Sequence, residues 1–220
     1  MSLLFDLINS FFIFEQTFSQ NIMSPRTKDQ FEKIRKKSSE NIEKIALELF
    51  ALKGYHATSI SQIAEKAGIS KGLLYNYYEN KEQLLNSVIM KVYDEIMQIV
   101  QMSENLPAEK QIEQMIIQTI NHLKENITFW RLYLFLVHQS DVQKKLAELY
   151  EKMRDDYLEY VIKLFKEIGS QNPMMEAMTL GTLFDGIGLN YVTAPHGYPI
   201  DEMRDYLVEV FAKNKKVRNV

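Results

Sequence analysis

The 220-residue chain contains no cysteine. Disulfides, thiol nucleophiles and cysteine-ligated metals are therefore excluded. Histidine is scarce. The four that occur, His56, His122, His138 and His196, are scattered without metal-ligand spacing, so neither a metal site nor a cofactor is expected. Proline and glycine are few, at five and eight, and strand-like alternation is missing. These absences predict an all-α protein. Basic residues are missing from the first 23 positions, where Phe5, Phe11, Phe12, Phe14 and Phe18 cluster. A secretory signal needs a positive start and an unbroken apolar run, and Asp6, Asn9, Ser10 and Glu15 interrupt this one. The stretch is also too short and too polar to span a membrane, so no membrane partner is expected and the expected location is the cytoplasm. Residues 1–23 are expected instead to form an extension, a helix packed on its own subunit or a neighbour.

Charge is present but unevenly placed. From Arg26 to Lys81 there are 11 lysines and arginines against 7 acidic residues; from Glu82 onward the count is 15 against 20. A basic head on an acidic body suits a polyanion bound at one end only, although a solvated helix face produces the same signal.

The informative stretch is Ile60 to Leu84. Ile60, Ile63, Ala64 and Ala67 recur at helical spacing and give a first short helix one apolar face. Gly68 marks its end, because glycine takes a left-handed backbone without steric cost. Ser70 is placed to cap a second helix over Lys71–Tyr78. Leu74 and Tyr78, one turn apart, face inward; Gly72, Leu73 and Asn76 fall outside, flanked by Lys71, Tyr75 and Tyr77. Helix, glycine turn and helix with outward donors and rings fit a DNA-binding helix-turn-helix. The local pattern equally describes a helical hairpin buried in a larger fold.

The surrounding residues add to this. Over Lys36–Leu84 the chain resembles the DNA-binding domain of the tetracycline-repressor (TetR) family. The residues that carry the resemblance are Ile42, Ala46, Leu49, Phe50, Gly54, Thr58, Ser59, Ile63, Ala64, Ala67, Gly68, Ser70, Lys71, Gly72, Tyr75, Tyr77, Tyr78, Lys81, Glu82 and Leu84. It implies a three-helix DNA-binding domain over residues 24–84 and a helical ligand-binding and dimerisation domain over 85–220. It further implies that Tyr75, Asn76, Tyr77 and Lys81 touch phosphates while Thr58 and Ser70 anchor the flanks. Lys71 at the helix start suits a guanine edge or a phosphate, Gly72 admits close backbone approach, and Leu73 suits a thymine methyl.

The remaining elements follow from apolar periodicity. A first helix is expected over Ser39–Lys53, with Ile42, Ile45, Ala46, Leu49 and Phe50 on one face. Pro25–Lys37 ahead of it reads either as an arm toward DNA or as a solvated helix extension. Thr58 or Ser59 caps the next helix, and Asn80 caps a long fourth one whose stripe runs from Leu84 to Val100. Pro107 opens another helix. Ile127–His138 is apolar nearly all round and is expected to be buried. Helices are expected from Asp141 to Ile168, from Met174 to Ala194 and from Ile200 to Lys213, with a basic tail after it.

By the resemblance, the last two helices pair across a two-fold axis into a homodimer that binds double-stranded, palindromic operator DNA. The body holds a small-molecule effector, expected to be apolar, whose binding releases a repressor. Candidate lining residues are Trp130, Tyr133, Tyr150, Met153, Tyr157, Phe184 and Asp185; ordinary core packing is the alternative for each. The competing functions are an enzyme and a helical interaction module without DNA binding. An enzyme needs a nucleophile–base pair, paired carboxylates or a metal set in a cleft. The acidic pairs Asp94–Glu95 and Asp155–Asp156 are adjacent and point apart on a helix.

Overall fold

The computed structural model describes residues 27–213, Met102 excepted. The 1–23 extension and the basic tail beyond Lys213 lie outside the described residues. The chain divides into two compact units, one through Asn41 and one from Ile42. Every described element is helical: α1 (Lys28–Lys53), α2 (Ile60–Lys66), α3 (Lys71–Tyr75), α4 (Lys81–Gln101), α5 (Ala108–Glu125), α6 (Ile127–Val137), α7 (Ser140–Glu167), α8 (Pro173–Thr193) and α9 (Ile200–Val208), the last continuing as a π-helical turn, Glu209–Lys213.

In the first unit, the described residues are the start of α1. Thr27 and Gln30 form a reciprocal cap: the Gln30 N–H donates to Thr27 Oγ1 at 3.3 Å, and the Thr27 N–H to Gln30 Oε1 at 3.1 Å. This cap starts the helix at Lys28 rather than Ser39, so the basic segment is helical from there and its residues 28–37 are solvent-exposed.

The second unit holds two apolar clusters. In the first, Ile42, Ala46, Leu49 and Phe50 of α1 pack with Ile63, Leu74, Leu84, Leu85 and Ile89. Leu136, Val142 and Leu146 of α6 and α7 belong to the same cluster, so the helix-turn-helix shares its core with the helices that follow. Phe50 is fully buried; truncating such a ring to alanine costs about 3–5 kcal/mol. The second cluster joins Ile112, Ile116, Ile120, Val161, Phe165, Leu180, Ile187 and Phe211. There α7 packs on α8, and α5 on α9 and its π turn.

Two expectations change in this unit. The second short helix stops at Tyr75 with Asn76 as its C-cap, and a tighter turn carries the chain to Tyr78. Tyr78 is still buried, its hydroxyl donating to Glu43 at 2.9 Å. Helix α6 is not buried all round: Leu136 alone is fully enclosed, and Phe135 is 54% exposed. Its apolar circumference is used differently, with Trp130 and Leu134 packed on one cluster and Phe129, Leu132 and Tyr133 on the other. Among the described residues, no helix is long and apolar enough to cross a membrane.

Candidate functional site

The helix-turn-helix is fixed by local chemistry at each corner. Ser59, not Thr58, caps α2 in a full capping box: Ser59 Oγ accepts from the Gln62 N–H at 3.2 Å, and Gln62 Oε1 accepts from the Ser59 N–H at 2.8 Å. The turn closes through Gly68 at φ +68°, with the Ile69 N–H donating back to the Ala64 carbonyl at 3.0 Å. Ser70 caps α3 by accepting from the Leu73 N–H at 3.1 Å. Leu74 then anchors α3 in the core, fully buried.

This anchoring leaves Lys71, Gly72, Leu73, Tyr75 and Asn76 exposed, with Tyr77 half-buried beside Tyr78 at a ring separation of 6.4 Å. Leu73 and Tyr75 keep 41% and 44% exposure. The Lys71 ammonium lies 5.9 Å above the Tyr75 ring, one turn along, so cation and aromatic face share one outward edge. A Cβ at Gly72 would meet nothing within 4 Å, which leaves its backbone open to an approaching partner.

Two residues expected at the DNA surface are occupied elsewhere. Thr58 is 1% exposed. Its hydroxyl lies 3.1 Å from the Leu49 carbonyl and 2.9 Å from that of Gly54, sealing the end of α1. The Lys81 ammonium donates to the carbonyls of Tyr55 at 2.8 Å and Thr58 at 2.9 Å, reaches that of His56 at 3.4 Å, and sits 4.4 Å over the Tyr55 ring. Burial holds its pKa below the ordinary lysine value, helped by the nearby charge of Lys145. With its three donors turned inward, Lys81 locks the connector between α1 and α2 onto the start of α4.

The same connector is tied to the body by contacts that have no local sequence signal. Gln139, between α6 and α7, donates from Nε2 to the Phe50 carbonyl at 2.8 Å and accepts at Oε1 from the Tyr55 N–H at 3.0 Å. His56 Nε2 lies 3.1 Å from Asp141, and Lys145 of α7 pairs with Glu82 of α4 at 2.8 Å.

In the body, six of the seven candidate lining residues divide between the two clusters. Trp130, Tyr157 and Phe184 pack on one, Tyr133, Tyr150 and Met153 on the other. Trp130 meets Tyr133 edge-on at 5.6 Å, and Phe129 stacks on Tyr133 at 6.5 Å. The Trp130 indole N–H donates to His122 Nδ1 at 3.3 Å, and His122 Nε2 lies 3.5 Å from Glu95 of α4. Tyr157 donates to the Met115 sulfur at 3.6 Å. Asp185 keeps an exposed surface, yet crowding around its carboxyl pushes its pKa upward, opposed by the nearby His138. Among the described residues no cluster of His, Cys, Asp or Glu could hold a metal ion.

Comparison with known proteins adds to this geometry. Residues 42–88 match the family described as bacterial regulatory proteins, tetR family. The chain is 46% identical over 59 residues to the uncharacterized HTH-type transcriptional regulator YuxN of Bacillus subtilis, covering 27% of this chain and 20% of that one. It is 27% identical over 167 residues to the HTH-type transcriptional regulator BetI of Vibrio atlanticus, covering 70% and 82%. The chain spans only about a fifth of the length of the first curated relatives it matches. Among solved structures, NalD of Pseudomonas aeruginosa, the secondary repressor of the MexAB-OprM multidrug efflux pump, superposes with a TM-score of 0.64 at 20% identity, covering 80% of this chain and 94% of that one. The fatty acid degradation regulator FadR of Bacillus halodurans gives 0.63 at 20% identity, covering 79% and 94%. At these identities the structural likeness establishes the fold alone.

Proposed function

We propose, from the premise that residues 42–88 are a tetR-family regulatory domain, that the whole chain is a sequence-specific DNA-binding transcriptional regulator, a repressor released by a small effector. The observation that carries the reading is the outward edge of α3. Lys71, Gly72, Leu73, Tyr75 and Asn76 are exposed together on a helix whose other side is pinned by Leu74 and capped by Ser70. That edge combines a cation, an open backbone, an apolar contact and polar groups. These are what phosphate positioning and base-edge reading in a major groove require. Ser70 flanks it; Thr58 and Lys81 act behind it, holding the frame.

The functional division is a DNA-binding head over 24–84 and an effector-binding and dimerising body over 85–220, working in the cytoplasm. The dimer forms through α8 and α9, where Met174, Met178, Leu189 and Tyr206 stand exposed on one chain. A dimer binds a palindromic operator when its two recognition helices match half-sites about 34–36 Å apart, or a multiple of that. The cluster around Trp130, Tyr133, Tyr150, Met153, Tyr157, Phe184 and Asp185 is the effector site. Glu95 of α4 meets it through His122, so an effector there bears on the helix that enters the head.

The test is selection from a randomised double-stranded pool. A regulator enriches a two-fold-symmetric sequence; an enzyme or interaction module without DNA binding enriches none.

A further inference from the structure

Phe31 and Ile34 stand one turn apart on the first stretch of α1, 57% and 43% exposed. They are the only apolar side chains among residues 28–37, where seven charged residues and Gln30 make up the rest, all solvent-exposed. Lys33 and Lys36 fall on the opposite side of the helix. The pair is thus a narrow apolar seam on an otherwise charged helix. Such a seam is completed by a second helix that brings a matching one.

The chain ahead of α1 carries a match. Leu4, Leu7, Phe11, Phe14 and Phe18 recur in alternating steps of three and four, the spacing of a helical seam. Asp6, Asn9 and Gln16 fall on the other side. The connection also suits a reversal of direction. Pro25 cannot continue a helix and disfavours helical backbone at Ser24, so a helix arriving from the N-terminal side stops by Met23. The Thr27–Gln30 cap then starts α1 at Lys28. That leaves Ser24 to Thr27 as the link, within the roughly 2–5 residues that join antiparallel helices. Residues 1–22 as a helix would span about 33 Å, against about 21 Å for residues 28–41, so they suffice to cover the seam. Charge agrees: residues 1–23 hold Asp6 and Glu15 and no lysine or arginine, whereas residues 28–37 hold five basic and two acidic side chains.

We propose that the occupant of the Phe31–Ile34 face is the chain's own residues 1–22, folded back on the start of α1 as an antiparallel helical clasp. A link this short gives an effective concentration on the order of millimolar, which favours the chain's own segment over a second copy. The clasp covers the apolar pair and leaves Lys33 and Lys36 outward. It stands independently of the DNA-binding reading.

The chain has no cysteine, so introduced pairs report on it without background. The full-length protein is prepared as Phe18→Cys with Ile34→Cys, and as Phe18→Cys with Lys36→Cys, which sets the second thiol on the opposite side. Each is treated with a short bismaleimide at low micromolar concentration, with melting temperatures recorded to establish folding. The expected result is an intramolecular cross-link in the first pair and little in the second. Adding Phe31→Glu to the first pair should lose most of the product. Separately, the single variant Ile34→Cys should react with a polar maleimide severalfold faster once Met1–Ile22 is deleted. Cross-linked dimers in place of the intramolecular product would give the face to a second copy and overturn the proposal. Equal yields in both pairs, no product in either, or labelling unaffected by the deletion would also overturn it.

Discussion

Gln139 and Tyr55 are 84 residues apart in sequence, yet the Tyr55 N–H donates to Gln139 Oε1 at 3.0 Å while the other end of the same amide holds the Phe50 carbonyl. One side chain thus gives the Tyr55 N–H its partner beyond the end of α1 and adds a second donor to the Phe50 carbonyl, which also accepts from the Gly54 N–H at 3.1 Å, and it does so from the turn between α6 and α7. Position of the helix-turn-helix and position of the body helices become one variable. Gln139→Ala should cost about 1–3 kcal/mol, because the part-buried Tyr55 N–H loses its partner and the Phe50 carbonyl loses one of its two donors. It should also weaken DNA binding without any loss of a DNA-facing residue. Gln139→Glu, which keeps the acceptor and loses the donor, should fall between. Unchanged melting temperature and unchanged affinity in both variants would remove the coupling role.

Lys71 and Lys81 should separate cleanly. Lys71 is exposed on α3, whereas the Lys81 ammonium is spent on the Tyr55, His56 and Thr58 carbonyls. Lys71→Ala should leave the melting temperature unchanged and reduce the salt dependence of binding by about one phosphate contact. Lys81→Met should lower the melting temperature and leave the salt slope unchanged. A reduced slope in Lys81→Met with an unaltered melting temperature would return Lys81 to the DNA surface.

Thr58→Val tests the seal at the end of α1. The change keeps the shape and removes the hydroxyl shared between the Leu49 and Gly54 carbonyls. A destabilisation of about 1–2 kcal/mol is expected by chemical denaturation, with affinity per folded molecule preserved. Normal stability with weakened binding would show a direct contact instead.

Much of this was legible in sequence, for identifiable reasons. Ser70, Gly68 and Leu74 do local work, and the sequence pattern predicts their cap, turn and anchor. For Thr58 and Lys81 the resemblance implies a flank anchor and a phosphate contact, because it names positions, not directions. Their inward hydrogen bonds depend on carbonyls of the α1–α2 connector, whose path no periodicity encodes. Gln139, His122 and Lys145 carried no signal at all, since their partners Tyr55, Trp130 and Glu82 meet them only through tertiary packing. For α6, apolarity all round predicted burial, but the helix divides its faces between two clusters and leaves Phe135 outside.

The α8 surface gives a fourth prediction. Met178 and Leu189 are 42% and 48% exposed on the single chain. If α8 pairs with a second copy, Met178→Glu should shift sedimentation from dimer to monomer and sharply weaken binding to a symmetric site, with the fold retained. A variant still dimeric at micromolar concentration would place the interface elsewhere.

The most direct test of the central reading is the equilibrium affinity of the wild type, Lys71→Ala and Tyr75→Ala for the duplex enriched by selection, at one fixed salt concentration. The exposed edge of α3 predicts that each variant, with an unchanged melting temperature, binds about 5- to 150-fold more weakly, as loss of a direct contact worth about 1–3 kcal/mol requires. Equal affinity for all three proteins would contradict it.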